Sequence, residues 1–135
     1  MMPDFKALIE RIGVNEGFRS KPYQCSEDVW TIGHGLTWIT EEESLNILTG
    51  RISQLHLQLL DDLDWYKDMP PEIQGILIEM VYQIGYSGVM KFKKMIANMI
   101  DKNWKSAADE MLDSKWAKQT SNRANRLADI VREHG

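Results

Sequence analysis

The sequence predicts an α+β fold, with one short β-hairpin near the N-terminus and five to seven helices after it. Two observations support this prediction. Residues 20–39 are rich in strand-forming residues and contain a turn-forming stretch, Ser26 to Asp28. From residue 40 onward, apolar residues recur at the spacing of amphipathic helices. A chain of 135 residues can build one core from these elements without disulfides.

Composition excludes several classes of protein. The net charge of −4 gives no electrostatic reason to expect nucleic acid as a partner. One cysteine rules out an internal disulfide, and three scattered histidines do not form a metal-binding pattern, so we expect no metal and no cofactor. No segment is apolar enough for membrane insertion or for a secretion signal. We therefore expect a chain that is synthesised in the host cytoplasm without a signal peptide. We also expect a monomer.

The helices are delimited by local signals. Pro3 suits a first helical turn, and the apolar spacing that follows predicts a helix over residues 3–13, with Gly13 either ending it or loosening its last turn. Thr40 and Glu43 form a capping-box pattern at the start of a second helix. The stretch of residues 72–84 is apolar on most faces, which predicts a buried helix ended by Gly85. Three shorter helices are expected over residues 90–100, 104–112 and 121–132.

Three side chains near the predicted hairpin suggest a reactive site. Glu16 follows the first helix, and Cys25 and Thr31 lie on the two strands, so a carboxyl, a thiol and a hydroxyl can face one cleft. A carboxyl that donates a proton near neutral pH needs partial burial. Taken singly, each residue has a plainer interpretation: a surface glutamate, a small buried cysteine and a β-branched strand residue.

The state of the thiol is a separate question. The carboxylates of Glu16, Glu27 and Asp28 are expected to raise the pKa of Cys25, which predicts a mainly neutral thiol. A nucleophilic pair of Cys25 with His34 is also conceivable, because both lie on the hairpin. His34 stands between two glycines, which allow close backbone approach.

With these residues in view, the chain resembles the bacteriophage-type lysozymes, the endolysins that cut bacterial cell walls. The segments NEGFRSKPY and VWTIGHG are similar to the family patterns E-G-x-R-x-x-x-Y and T-I-G-x-G. The segments MVYQIGYSGVMKF and SKWAKQTSNRANR are similar to the family's cleft helix and to W-x-x-Q-T-x-N-R-A-x-R. The motifs are specific because they occur together, in order and at these separations.

The resemblance implies a single lysozyme-like domain over residues 1–135. Its small lobe would span about residues 14–50 and carry the hairpin, and its helical lobe would comprise about residues 51–135 plus the N-terminal helix 3–13, with a cleft between the lobes. It also implies hydrolysis of the β-1,4 bond between N-acetylmuramic acid and N-acetylglucosamine in peptidoglycan. This activity would lyse the host, and release would depend on a holin that permeabilises the membrane.

Residue roles carried over from the family complete the hypothesis. Glu16 matches the general acid, Thr31 the water-positioning threonine, and Cys25 a position that is aspartate in many members and cysteine in others. Tyr82 and Gln83 match substrate-binding positions, although core packing is an alternative for Tyr82. The resemblance also implies that Arg123 supports Glu16, where a cation would lower the pKa of that carboxyl.

Two departures from the family pattern affect the small lobe. Leu36 occupies the position after T-I-G-x-G where the family commonly has histidine, and Asp28 stands where a turn glycine is usual. Asp tolerates left-handed backbone better than most residues.

Two other functions remain open. The missing aspartate allows a degenerate member that binds peptidoglycan or a protein without cleaving it. A lytic transglycosylase, which needs one acid and forms an anhydro product, is the other. Retention of both Glu16 and Thr31 favours the hydrolase.

Overall fold

The computed structural model describes residues 2–135, in which eight α-helices and one antiparallel hairpin confirm the α+β prediction. The elements are, in chain order, α1 Phe5–Glu16, β1 Arg19–Gln24, β2 Trp30–Gly33, α2 Glu41–Asp62, a 3-10 turn Tyr66–Asp68, α3 Pro71–Ile84, α4 Tyr86–Met90, α5 Lys93–Ile100, α6 Trp104–Leu112, α7 Lys115–Gln119 and α8 Ser121–Glu133. The eight helices are more than the five to seven expected. The difference comes from two short helices in the later part of the chain, α4 and α7.

The chain divides into two compact units. The first extends to Ile47, and the second runs from Leu48 to Gly135, so the division falls inside α2. This division counts the N-terminal helix with the hairpin, whereas the sequence argument assigned residues 3–13 to the helical lobe. The reason is local, since the last turns of α1 contact the loop that follows β2.

Helix α1 ends later than predicted. Asp4 caps its N-terminus by accepting a hydrogen bond from the Ala7 amide at 3.1 Å. Gly13 lies inside the helix, and the prediction that it ends the helix is wrong. Gly17 is the C-terminal cap, with φ of 69° and an N–H that donates to the Gly13 carbonyl at 2.9 Å.

The hairpin has the predicted turn. Gln24 pairs with Trp30 and Tyr23 with Thr31, and the Cys25 amide donates to the Val29 carbonyl at 2.9 Å. Asp28 adopts φ of 62°, so the aspartate takes the left-handed conformation that a glycine would otherwise supply.

The capping box at the start of α2 is confirmed. The Thr40 amide donates to the Glu43 carboxylate at 3.0 Å, and the Glu43 amide donates to the Thr40 hydroxyl at 3.1 Å. These bonds from the backbone and then the side chain of Thr40 lower the pKa of Glu43.

Helix α3 contributes five buried residues to the core of the second unit. This helix ends at Gly85 as predicted, where φ is 84° and the amide donates to the Val81 carbonyl at 2.8 Å. Helix α6 packs against α5 and α8, and α3 packs against α4 and α8. The fully buried side chains, which fill the space between these helices, are chiefly aliphatic and methionine and include Ile73, Met80, Met95, Met99, Met111 and Val131. No helix among residues 2–135 combines the length and the apolar character that a membrane span requires.

Candidate active site

One face of the hairpin brings the predicted thiol and hydroxyl together. Side chains alternate between the two faces of a strand, so Tyr23 and Cys25 share a face with Thr31 across the ladder. Thr31 is 6% exposed and Cys25 is half-buried, whereas Gln24 and Trp30 on the other face are exposed. Cys25 directly follows β1 and does not lie on the strand as predicted, whereas Thr31 lies on β2. The Thr31 side chain is near enough to the sulfur to favour its thiolate form.

The pKa of Cys25 is shifted in the direction opposite to that predicted. It is lowered, first because the backbone of Glu27 hydrogen-bonds the sulfur, then because that of Val29 does so, with a smaller contribution from Thr31. Partial burial and the Glu27 carboxylate act in the opposite direction and are outweighed. The expectation of a raised pKa was therefore wrong, since it counted nearby carboxylates and not the backbone hydrogen bonds of the turn.

The Thr31 hydroxyl has one proton and lies near two acceptors, the Val29 carbonyl and the Cys25 sulfur. It donates to the Val29 carbonyl at 2.9 Å, and it also lies within hydrogen-bond reach of the Cys25 sulfur. While the Thr31 hydroxyl donates its proton to the Val29 carbonyl, the lone pairs of the Thr31 oxygen can accept a hydrogen bond from a neutral Cys25 thiol. Rotation of the hydroxyl toward sulfur supports a thiolate instead. Thr31 can therefore follow a change in the protonation state of Cys25.

Glu16 is positioned by the turn after β2. It is the last residue of α1, and its carboxylate contacts Gly35, where a Cβ atom would lie 2.8 Å from Glu16 Cδ. Gly35 has φ of 77°, in the left-handed region that favours glycine. The Glu16 side chain is exposed, so the partial burial expected for a general acid is not observed.

His34 connects this turn to α1. Its ring lies about 3.7 Å from the position that a Cβ on Gly13 would occupy, and its centroid is 5.3 Å from that of Phe18. Ile32 and Leu36 exchange two backbone hydrogen bonds of 2.9 Å that close the turn. His34 thus makes packing contacts with α1 in a lobe where the family's usual histidine position is Leu36.

Two further predicted residues lie at the end of α3 in the second unit. Tyr82 is 52% exposed, which excludes the alternative that it is a core residue. Gln83 is half-buried, and its side-chain oxygen accepts a hydrogen bond from the indole N–H of Trp116 at 2.9 Å. The amide NH₂ of Gln83 makes no hydrogen bond within residues 2–135 and is available to a ligand.

Arg123 forms an ion pair inside the second unit. Its Nε donates to Glu79 Oε2 at 2.9 Å, and both side chains are partly exposed. Sequence reasoning did not single out Glu79, because the two residues are 44 positions apart. The pairing of Arg123 with Glu16 stays a prediction.

Residues 2–135 contain no group of three His, Cys, Asp or Glu side chains arranged to hold a metal ion.

Comparison with known proteins decides the family. A model of the family described as phage lysozyme matches residues 14–132, which is nearly the whole chain and includes Glu16, Cys25, Thr31, Tyr82, Gln83 and Arg123. The chain belongs to the phage lysozyme family. In this phage lysozyme family member, both the hairpin carrying Cys25 and Thr31 and the helices carrying Tyr82 and Arg123 fall inside the matched region.

Similar curated proteins include two from Dictyostelium discoideum. Probable T4-type lysozyme 1 is 36% identical over 66 residues, which are 49% of this chain and 39% of that protein. Probable T4-type lysozyme 2 is 37% identical over 65 residues, or 48% of this chain and 38% of that protein. The pre-baseplate central spike protein Gp5 of Enterobacteria phage T4 is 38% identical over 58 residues, 43% of this chain and 10% of that protein. The alignments thus span about two fifths or less of these relatives.

Proposed function

We propose that this phage lysozyme family member hydrolyses the β-1,4 bond between N-acetylmuramic acid and N-acetylglucosamine in bacterial peptidoglycan. The observation that carries the proposal is the contact of the Glu16 carboxylate with Gly35, in the turn that follows the hairpin on which Cys25 and Thr31 lie side by side. Family membership supports the same class of activity.

In the proposed reaction, Glu16 gives its proton to the glycosidic oxygen as the bond to the anomeric carbon breaks. A water molecule held by Cys25 and Thr31 adds to the anomeric carbon and loses a proton to the thiolate form of Cys25. The lowered pKa of Cys25 supports this role, because it enlarges the thiolate fraction at a given pH.

Residues of the second unit are proposed to bind the substrate. The exposed ring of Tyr82 and the spare amide NH₂ of Gln83 suit the apolar face and the N-acetyl group of a sugar. Arg123 would support Glu16, in exchange for or in addition to its bond with Glu79. Host-cell lysis, with release through a membrane opened by a holin, is the biological role proposed for this activity.

Mass spectrometry of muropeptides released from isolated cell walls tests the proposal. Hydrolysis adds one water to the products, whereas a lytic transglycosylase leaves anhydro-muramic ends. The matched control is Glu16→Gln, which keeps the shape of the side chain and removes the acid. Release of hydrolysed fragments by the natural sequence and not by the control supports a muramidase. Tight binding to walls without release of any fragment would instead indicate a binding protein.

A further inference from the structure

The His34 ring lies against the end of α1, close to the proposed acid. Its Cδ2 and Nε2 atoms are 3.7 and 3.9 Å from the position that a Cβ on Gly13 would occupy. Its centroid is 5.3 Å from that of the Phe18 ring, and the two rings are tilted by 42°. Gly13 and Phe18 lie three positions before and two positions after Glu16. The ring therefore contacts the chain on either side of that residue.

The residue after His34 makes a second contact with the same part of α1. Gly35 lies against the Glu16 carboxylate, and both His34 and Gly35 belong to the turn that follows β2, the strand that carries Thr31. Two backbone hydrogen bonds of 2.9 Å close this turn. Two adjacent residues of one turn thus join the end of α1 to the hairpin.

The junction between α1 and β1 is largely exposed. No residue of α1 is buried, and the Phe18 side chain that follows the helix is exposed. Gly17, between Glu16 and Phe18, has φ of 69°, and a Cβ there would meet nothing within 4 Å. Because burial does not fix the direction of the Glu16 side chain, contacts from the turn have a large part in fixing it.

The surroundings of Cys25 do not support its pairing with His34. The groups that shift the pKa of Cys25 belong to Glu27, Val29 and Thr31, and within residues 2–135 no group of His34 is among them. A nucleophilic pair requires the imidazole within hydrogen-bond reach of the sulfur. The contacts of His34 fit a ring that packs, not one that takes a proton from the thiol.

We propose that His34 is a positioning residue for Glu16, an inference that rests on the proposed function for the role of that acid. The ring holds the turn after β2 against the end of α1, and the turn keeps the Glu16 carboxylate against Gly35. Protonation of a glycosidic oxygen requires a well-defined geometry, and a misplacement of about 1 Å can cost on the order of 100-fold in rate. His34 acts through the shape of its ring and does not itself touch the substrate.

The values of kcat and KM for hydrolysis of soluble peptidoglycan strands test this role. His34→Ala removes the ring and should lower kcat about tenfold with KM changed less than about twofold, because the acid is misplaced and substrate contacts are kept. His34→Phe keeps a planar ring that can pack on Gly13 and Phe18, so it should restore most of kcat.

His134→Ala is the matched control. This histidine also makes a ring contact, at 5.0 Å between its centroid and that of Trp104, but it lies in the second unit. The control should leave kcat unchanged. If the ring contact of any histidine were enough to explain the effect, the two alanine variants would lose kcat equally, and the inference would be wrong.

NMR supplies a readout that does not depend on cleavage. In the natural sequence, nuclear Overhauser effects should connect the His34 ring with the Gly13 α-protons, and the Glu16 γ-protons with the Gly35 α-protons. His34→Ala should weaken the second set and His34→Phe should keep it. The His34 side chain is exposed, so its loss leaves no core cavity, and a thermal unfolding curve checks folding. If His34→Ala is unfolded, Phe18→Ala removes the ring pair from the other side and is measured in the same way.

Three results would overturn the inference. The first is equal kcat in His34→Ala and the natural sequence. The second is a loss of kcat in His34→Phe as large as that in His34→Ala, which would indicate imidazole chemistry. The third is an unchanged Overhauser effect between Glu16 and Gly35 in His34→Ala.

Failure of the proposed function looks different. The natural sequence would then release no hydrolysed product, whereas the Overhauser effects would still decide whether His34 holds Glu16 against Gly35. If the natural sequence cleaves the strands and His34→Ala cleaves them equally well, the hydrolase proposal stands and only the role of His34 is wrong.

Discussion

The carboxylate of Glu16 lies against the backbone of Gly35, so closely that one added methyl group would collide with it. This contact joins the end of α1 to the turn after β2 and fixes where the proposed acid is held. Glycine is required at position 35 for two reasons. A Cβ atom would collide with Glu16, and the backbone adopts the left-handed conformation.

Replacing Gly35 with alanine should therefore impair the proposed reaction. The Cβ would displace Glu16, and a misplacement of about 1 Å can cost on the order of 100-fold in rate. We expect the rate of cell-wall clearing to fall by roughly tenfold to 100-fold. The left-handed conformation should also cost about 1–2 kcal/mol in the free energy of unfolding.

Gly50→Ala is the control for this substitution. Gly50 lies inside α2 with open space around its Cα, so alanine should raise the free energy of unfolding by about 1 kcal/mol and leave clearing unchanged. Clearing by Gly35→Ala at the rate of the natural sequence would show that Glu16 does not depend on this contact.

The Cys25 thiol should react with iodoacetamide at a lower pH than an ordinary cysteine. Hydrogen bonds from the Glu27 and Val29 backbone and from Thr31 favour the thiolate and lower its pKa. Thr31→Val removes one of these bonds, so the midpoint of the alkylation rate against pH should move upward. Thr37→Val serves as the matched control. Identical profiles for all three proteins would show that Thr31 does not influence the sulfur.

Cys25 itself should be needed for activity. Cys25→Ala is expected to abolish most cell-wall clearing, and Cys25→Asp to restore it, because a carboxylate can also orient and deprotonate a water molecule. The clearing rate of the two variants, compared at equal folded concentration, provides the measurement. Full clearing by the alanine variant would refute a catalytic thiol.

The hydrogen bond between Trp116 and Gln83 should contribute to stability. The Trp116 side chain is buried, and Gln83→Ala would leave its indole N–H without this partner. An unsatisfied buried donor costs about 1–3 kcal/mol, which urea unfolding would detect. Gln119→Ala, at an exposed position, should change the free energy of unfolding by less than about 0.5 kcal/mol. Equal stability of the two variants would contradict a stabilising role for the bond.

Tyr66 should make the protein sensitive to alkaline pH. It is fully buried, its hydroxyl lies 2.8 Å from His56 Nδ1, and burial raises its pKa. The unfolded chain then loses the Tyr66 proton at a lower pH than the folded chain, so stability is complete below a pH of about 10 and falls as pH rises through the folded pKa. Tyr66→Phe should flatten this decline in urea unfolding, and Tyr82→Phe should not. A decline of equal steepness in all proteins would exclude Tyr66 as the source.

Local features could be predicted from the sequence, and long-range ones could not. The capping box at Thr40 and the turn at Asp28 depend on residues within a few positions of each other, and both are confirmed. The partnership of Arg123 with Glu79 depends on how distant helices pack, which no spacing rule predicts. The predicted direction of the Cys25 pKa shift is wrong. Residue types show which charges are near the thiol, but they do not show which backbone groups hydrogen-bond the sulfur.

Gly13 illustrates the same limit on a smaller scale. Two glycines were available to end the first helix, and only the backbone shows that Gly17, with positive φ, does so while Gly13 accommodates the His34 ring. Roles at Glu16, Cys25 and Thr31 came from family motifs, whereas the contact of Glu16 with Gly35 required coordinates.

The contacts that hold Glu16, Cys25 and Thr31 all join residues fewer than twenty positions apart. Short closures of this kind cost little chain entropy, so the proposed reacting groups can come together early during folding. The helical unit depends instead on partners such as Gln83 with Trp116, 33 positions apart. Ribosomal synthesis therefore delivers the complete set of reacting side chains well before the helices around α3 have all their neighbours.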